Sequence, residues 1–329
     1  MKIVVTHSSP DMDAITSVWL IRKFLPNWSD ALVRFVPAGE RFTFRKTQNA
    51  QSSSVSDGQT IRQSDSPSSS EFSEVVENIG EDEVIHVDTG LGPLDHHQTA
   101  SDEVCGASLT FDFVKRVQNS KFSPRGEAGK IQNLESKKWN DRMKAVGRMV
   151  KVVVDIDHFK EVFRKDPLAD YHEFDLAGIL DGLKLELPGQ DELYVAEVSK
   201  SLDAILHGFE NRIWAEKEIR EKGKKFKTRF GRGIGLETIN DSVVKLAQKM
   251  GYVIAVRKDP RKGYVRIKVR PDSKIDLTLV YEKFRKIDPD ATWFLHVSKK
   301  MLLNGSVKNP KMRSTKLSLN DIIRVLEKI

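Results

Sequence analysis

One cysteine, Cys105, is all that 329 residues carry. A single thiol cannot close an internal disulfide, so no covalent framework shapes this fold and a reducing cytoplasm is the expected compartment. Cys105 itself reads as a small apolar residue at a helix start. Long apolar runs are missing as well. No stretch approaches the roughly 18 residues that a membrane-crossing helix requires, and no apolar segment with a small-residue cleavage site opens the chain. Neither a membrane span nor a secretory leader is expected. Nucleotide-cradling glycine motifs are also absent. No Gly-x-Gly-x-x-Gly follows the first apolar run and no Gly-x4-Gly-Lys-Ser/Thr occurs, which argues against dinucleotide reductases and P-loop kinases. The glycine-dense Gly231-Arg232-Gly233-Ile234-Gly235 lacks that spacing and reads as a loop.

What the chain does have is carboxylate and imidazole at the ends of apolar runs. Lys2-Ile3-Val4-Val5-Thr6 reads as a short buried strand, followed by His7 and the turn Ser8-Ser9-Pro10. Asp11 and Asp13 then open an amphipathic helix carrying Ala14, Ile15, Val18, Trp19, Ile21 and Leu25. Val84-Ile85-His86-Val87 is a second strand running into Asp88. Gly90, Gly92 and Pro93 allow a tight turn before Asp95-His96-His97. Taken singly, each piece has a structural reading, since Asp favours turns and helix N-caps. Their joint occurrence at strand ends, where α/β sheets bind ligands, points to a site for divalent metals. Oxygen-rich ligation with few imidazoles and no thiolate suits Mn²⁺ first and Mg²⁺ second. Two such ions can clamp both oxygens of a phosphoryl transfer, so phosphate-ester hydrolysis is the first function to consider.

These residues resemble the motifs of the DHH phosphoesterase superfamily, which includes RecJ-type exonucleases, NrnA-type oligoribonucleases, cyclic-dinucleotide phosphodiesterases and family II pyrophosphatases. His7, Asp11 and Asp13 match its first motif, Asp88 its second and Asp95-His96-His97 its third. The wording Leu94-Asp95-His96-His97-Gln98 is also similar to the branch containing the melanocyte proliferating gene protein, an RNA exonuclease. The fourth motif is an Asp after an apolar stretch. Val152-Val153-Val154-Asp155-Ile156-Asp157-His158-Phe159 offers Asp155, with Asp157 as competitor. The resemblance implies one metal held by His7, Asp11 and Asp88. It implies a second held by Asp13, Asp88, His96 and Asp155, with Asp88 bridging and a metal-bridging hydroxide as nucleophile. It also leaves His97 facing the substrate phosphate as a catalytic group, with Asp95 behind an imidazole to orient it.

A chain of this length exceeds what one core normally fills, so two domains are expected. The first is a parallel-sheet α/β catalytic domain over residues 1–190. It contains a Ser- and Gln-rich insertion at 45–74, read as flexible, between the strand Ala31–Val36 and a helix before Asp88. Apolar spacing at Met143, Val146, Val150 and Val153 lets motif four end a helix. Residues 191–222 read as a connector helix. Residues 223–329 read as a smaller α+β domain: strands at 226–230, 252–257, 264–270 and 292–297, and helices at 240–250, 277–287 and 319–328. A turn at Asp259-Pro260-Arg261-Lys262-Gly263 joins two of the strands.

Charge divides the halves. Residues 211–329 hold 30 Lys plus Arg against 13 Asp plus Glu, a balance of +17, while the first 210 hold 24 against 34. A basic domain opposite an acidic catalytic one is expected to make a channel for a polyanion. Arg266, Lys268 and Arg270 alternate on one strand and would share a face. The second domain is similar in position to the DHH-associated substrate-binding domain, but the Gly-Gly-Gly-His loop of that family is absent. Phe294 to Lys300 and then Asn304-Gly305-Ser306 stand in its place, with His296, Lys299 and the Asn-Gly-Ser backbone as candidate anion ligands. The expected function is two-metal hydrolysis of phosphodiester bonds in short RNA, single-stranded nucleic acid or a dinucleotide, in a protein free to form homo-oligomers. An inorganic pyrophosphatase and a non-catalytic RNA-binding protein with a degenerate site are the alternatives.

Overall fold

The computed structural model describes residues 1–43, 73–121, 129–305, 309 and 311–328, the side chains of 120, 121 and 129–135 excepted. It divides into two compact units, Met1–Phe209 and Glu210–Ile329. The division falls inside one long helix, Asp191–Lys222. Of the expected insertion at 45–74, only residues 73 and 74 lie within the described residues. No helix among the described residues is long and apolar enough to cross a membrane.

The first unit is built on a four-stranded sheet of order β2-β1-β4-β3. Its strands are β1 (Lys2–His7), β2 (Leu32–Val36), β3 (Glu77–Ile79) and β4 (Asp82–His86). The strand β1 pairs in parallel with both β2 and β4, and β3 is an antiparallel edge. The edge strand β3 stands just before β4, and the described residues ahead of it are helical at 73–75. The middle of β1 is buried without alternation at Ile3, Val4 and Val5, as a central parallel strand covered on both faces must be. Helix α1 (Met12–Phe24) is buried on almost every turn. It packs on β1 and on α2 (Gly106–Lys121) and α3 (Gly129–Asp157). Then come α4 (Leu176–Glu186) and α5, the long Asp191–Lys222 helix. Two polar ties hold α1 to α5: Trp19 Nε1 donates to Asp203 at 2.8 Å and Lys23 pairs with the same carboxylate at 2.7 Å.

The second unit carries a six-stranded sheet of order β5-β6-β7-β8-β10-β9. Its strands are β5 (Lys224–Thr228), β6 (Gly231–Glu237), β7 (Ile254–Lys258), β8 (Val265–Val269), β9 (Trp293–Leu295) and β10 (Met301–Asn304). One face packs Val256, Ile267 and Leu302 against α7 (Thr278–Ile287) and α8 (Leu319–Leu326). The other face packs Ile234, Leu236 and Ala255 against the C-terminal part of α5 and against α6 (Ser242–Lys249).

The glycine-dense segment at 231–235 is a correction to the sequence reading. It is an inner strand, not a loop, and β10 is a further strand that the sequence pattern does not announce. The reason lies in packing. The Phe226 ring lies across Gly233, so a Cβ there would stand 2.3 Å from ring carbons, and one at Gly235 would meet Ile323 and Leu319 at about 3 Å. Glycine in a strand interior marks a close approach of this kind. Gly233→Ala is therefore expected to destabilise the second unit by about 1–3 kcal/mol through overpacking. Calorimetry should show its melting transition several degrees lower, and an unchanged transition would mean that Phe226 can swing clear.

Candidate metal centre

Three chain segments converge at the C-terminal ends of β1 and β4. His7 closes β1, and the turn after it is tied down by Ser9, whose N–H donates to Asp191 at 3.0 Å and whose carbonyl accepts from Lys184 at 3.1 Å. Asp11 caps α1, with Oδ1 accepting from the Ala14 amide at 2.9 Å, while Oδ2 stands 3.9 Å from His7 Nε2. One oxygen of Asp11 thus serves as the N-cap, and the other is left beside His7.

Asp88 stands two residues past β4 in the left-handed region, at φ 53°. This conformation costs most L-residues roughly 1–2 kcal/mol, and Asp is among the few that visit it routinely. The loop after it folds back so that the Asp88 amide donates to the Leu94 carbonyl at 3.0 Å. The Asp88 side chain is 2% exposed, and its oxygens diverge: Oδ2 lies 3.3 Å from His7 Nε2 and Oδ1 lies 3.5 Å from His96 Nε2. Among the described residues Oδ1 finds no hydrogen-bond donor. His96 Nε2 is also 3.7 Å from both Asp13 Oδ2 and Asp157 Oδ2, and the latter oxygen likewise has no hydrogen bond among the described residues.

The donor atoms of His7, Asp11 and Asp88 lie within 4.8 Å of one another, as do those of Asp88, His96 and His97 and those of His96, Asp157 and His158. A cavity of about 410 Å³ opens on all of these residues but His158. Burial raises Asp88, Asp13 and Asp157 above the usual carboxylate range, and neighbouring carboxylates push each of them further. Burial pulls His7 down, but the Asp88 hydrogen bond, the Ser8 carbonyl and the Asp11 charge outweigh it, to about 9. Buried carboxylates that repel one another and leave oxygens unbonded fit divalent cations, which would neutralise that charge. The oxygen-dominated donor set fits Mn²⁺ or Mg²⁺.

The structure places Asp157, not Asp155, in this cluster. Both lie in the last turn of α3, and two residues along a helix turn the side chain through about 200°. Asp157 lines the cavity with His96; Asp155 does not line it. Asp13 is used in a way the sequence did not reveal. Its two oxygens accept the amides of Gly106 and Ala107, both at 2.6 Å, so it holds the N-terminus of α2, where a carboxylate also meets the favourable end of the helix dipole. Gly106 is required by that grip, because a Cβ there would lie 2.9 Å from the Asp88 Cβ and 3.0 Å from Asp13 Oδ2. His158, also missed, donates Nε2–H to the Val104 carbonyl at 2.9 Å, beside Asp157. Its adjacency to Asp157 was the available signal.

Asp95 is buried and takes the amides of Leu91 and His97 together with His97 Nδ1 at 2.7 Å. Burial would raise it, yet these donors hold it below the usual range. His97 is at the rim of the cavity, its side chain 59% exposed.

The residues expected to bind substrate in the second unit meet different fates. Arg266 and Lys268 share the half-exposed face of β8, with Val265, Ile267 and Val269 inward. Arg266 is ion-paired with Asp241, and Arg270, just past the strand, with Asp272. Lys299 pairs with Asp276 at 3.3 Å, and His296 Nδ1 meets Ser298 Oγ at 2.8 Å. Asn304 sends its side chain into the core. It is fully buried, donates to the carbonyls of Thr292 and Arg313 and accepts the Thr315 amide, so its amide is committed to backbone. Gly305 is buried against the Tyr264 ring, at φ 77°. The Asn304 side chain is therefore not presented to an anion. Ser306 lies outside the described residues.

No family model matches the chain, and no curated protein matches it. Among solved structures, one match is a DHH-domain protein described as a member of a family of ribosomal proteins. It is 9% identical, covering 99% of this chain and 85% of the other, with a TM-score of 0.31. A superposition that loose assigns nothing to this chain.

Asp157→Asn is expected to lose Mn²⁺ affinity by at least tenfold in calorimetric titration, while Asp155→Asn titrates as the parent does. Equal losses in both variants would return Asp155 to the site.

Proposed function

We propose that the chain is a metal-dependent phosphoesterase of the DHH type that hydrolyses phosphodiester bonds in short RNA, single-stranded nucleic acid or dinucleotides. The observation that carries this reading is Asp88, a buried carboxylate whose two oxygens face two imidazoles at 3.3 and 3.5 Å. His7, Asp11 and Asp88 would hold one ion, and Asp13, Asp88, His96 and Asp157 a second. Bound there, such a pair supplies positive charge at the phosphoryl group and activates water.

The remaining chemistry falls to the protein's own side chains. Asp95, itself held by the amides of Leu91 and His97, fixes His97 with Nδ1–H toward it. That leaves Nε2 as the free nitrogen of the ring. In the imidazolium form Nε2 carries the proton that a departing alkoxide needs. Asp11 and the turn tied to Asp191 and Lys184 keep His7 aligned with Asp88.

A Mn²⁺-supplemented hydrolysis panel tests the reading, with pApA, short single-stranded RNA, cyclic dinucleotides and pyrophosphate as substrates. Cleavage of at least one phosphodiester, abolished by EDTA, is expected. Cleavage of pyrophosphate alone would make the protein a pyrophosphatase, and cleavage of nothing would overturn the reading. Asp88→Ala should abolish both turnover and two-site Mn²⁺ binding with the circular-dichroism spectrum retained. His97→Ala should keep both ions while slowing turnover about 10²–10⁴-fold, the loss expected for a proton donor. Loss of an ion in His97→Ala would mean that the roles of His96 and His97 are exchanged.

A further inference from the structure

The second sheet has one half-open face. Cross-strand register sets Arg257, Arg266, Leu303 and Phe294 in one row over β7, β8, β10 and β9. Ala255, Lys268 and Met301 form the next row, and His296 follows, its amide bonded to the Met301 carbonyl. Partners in a pleated sheet point to the same side. At the β7 end this face is closed by α6 and is buried at Arg257 and Ala255. Toward the β9 edge it opens: Arg266, Lys268, Leu303 and Met301 are half-buried and Phe294 is 49% exposed. The opposite row, Val256, Ile267 and Leu302, lies in the core, so this opening belongs to one face only.

An apolar strip ending in an exposed aromatic ring and bordered by cations has a definite chemistry. Asp241 answers Arg257 and Arg266 by ion pairing. Lys268 has no ion pair among the described residues; burial lowers it, and Arg266 and Lys245 push it lower still. Lys245 also lines a groove of about 480 Å³ with Lys249, Gln248, Arg270 and Asp272, whose carboxylate pairs with Arg270 and leaves the two lysines in excess. Positive charge there exceeds what nearby carboxylates neutralise, and an anion would relieve it. An acidic peptide would satisfy the cations but has no systematic use for a flat aromatic surface. A second copy of this unit would bring its own excess of positive charge.

We infer that this face is a binding platform for an unpaired polynucleotide, with a base stacked on Phe294 and backbone phosphate on Lys268 and Lys245. Base–aromatic stacking is indifferent to sequence and requires the base to be free of a duplex. As a statement about substrate class this rests on the phosphodiesterase reading, narrowing it to single strands; as a binding site it is tested apart from turnover.

The full chain is titrated in EDTA against a fluorescein-labelled 12-mer single strand, the matching duplex and an abasic strand of the same length, by fluorescence anisotropy. The parent should bind the single strand more tightly than either control. Phe294→Ala should weaken the single strand roughly 5- to 150-fold, leave the abasic strand within twofold, and be rescued by Phe294→Trp. Lys268→Gln should weaken both strands and flatten the salt dependence by about 0.7 of a unit of slope. Equal binding of duplex and single strand, or a Phe294→Ala variant that binds as the parent does, would overturn the platform. A light-scattering mass that falls from dimer to monomer in Phe294→Ala would overturn it in favour of an interface between copies. Because no metal is present, the platform can stand if hydrolysis fails and fail if hydrolysis stands.

Discussion

The first unit is organised around a carboxylate that has been taken out of water and set between two imidazoles. Asp88 is buried, left-handed in backbone, and flanked by imidazoles on both oxygens. A buried charge of this kind is costly unless paired. The arrangement is held by surroundings that cannot easily relax. The returning loop satisfies the Asp88 amide through Leu94, and the absence of a side chain at Gly106 lets α2 press against it. Asp13 fastens the same helix through two amides. The site's geometry is therefore a property of β1, β4, α1, α2 and α3 together, and backbone strain concentrated at such a point is characteristic of functional sites.

Metal binding at this cluster would be coupled to fold stability. Asp13 serves α2 while presenting an oxygen to His96, and Asp11 serves α1 while presenting one to His7. Cations bound by these carboxylates would stabilise the native state alone, since the ligands come from segments that an unfolded chain does not hold together. Divalent ions should thus act on stability as well as on chemistry.

The second unit obeys a different constraint, the two-sidedness of its sheet. The alternation along β8 puts Val265, Ile267 and Val269 into a core and leaves Arg266 and Lys268 outward. Helix α6 covers only part of that outward face, and what it leaves open is basic on one side and aromatic at the edge. The same packing engages two residues expected to bind an anion. Asn304 was drawn into the core as a clamp on three backbone groups, and Gly305 was covered by Tyr264.

Much of this was legible in the residues alone, where the signal was local. Apolar runs ending in His7 and Asp88 read as parallel strands because a covered strand has no polar face to show. The alternation of Arg266 and Lys268 with Val265, Ile267 and Val269 reads as one exposed row because pleating has a period of two. What a sequence cannot display is the partner across a gap. The choice of Asp157 over Asp155 depends on the rotation of α3 against His96. The demand for glycine at 106 and 233 depends on Asp88 and Phe226 arriving from elsewhere in the chain. The commitment of Asn304 depends on carbonyls 9 and 12 residues away in sequence. The residues determined which groups could meet and on which faces; only the tertiary structure decided which of them did, because burial, rotation and hydrogen-bond satisfaction are settled by neighbours that are distant along the chain.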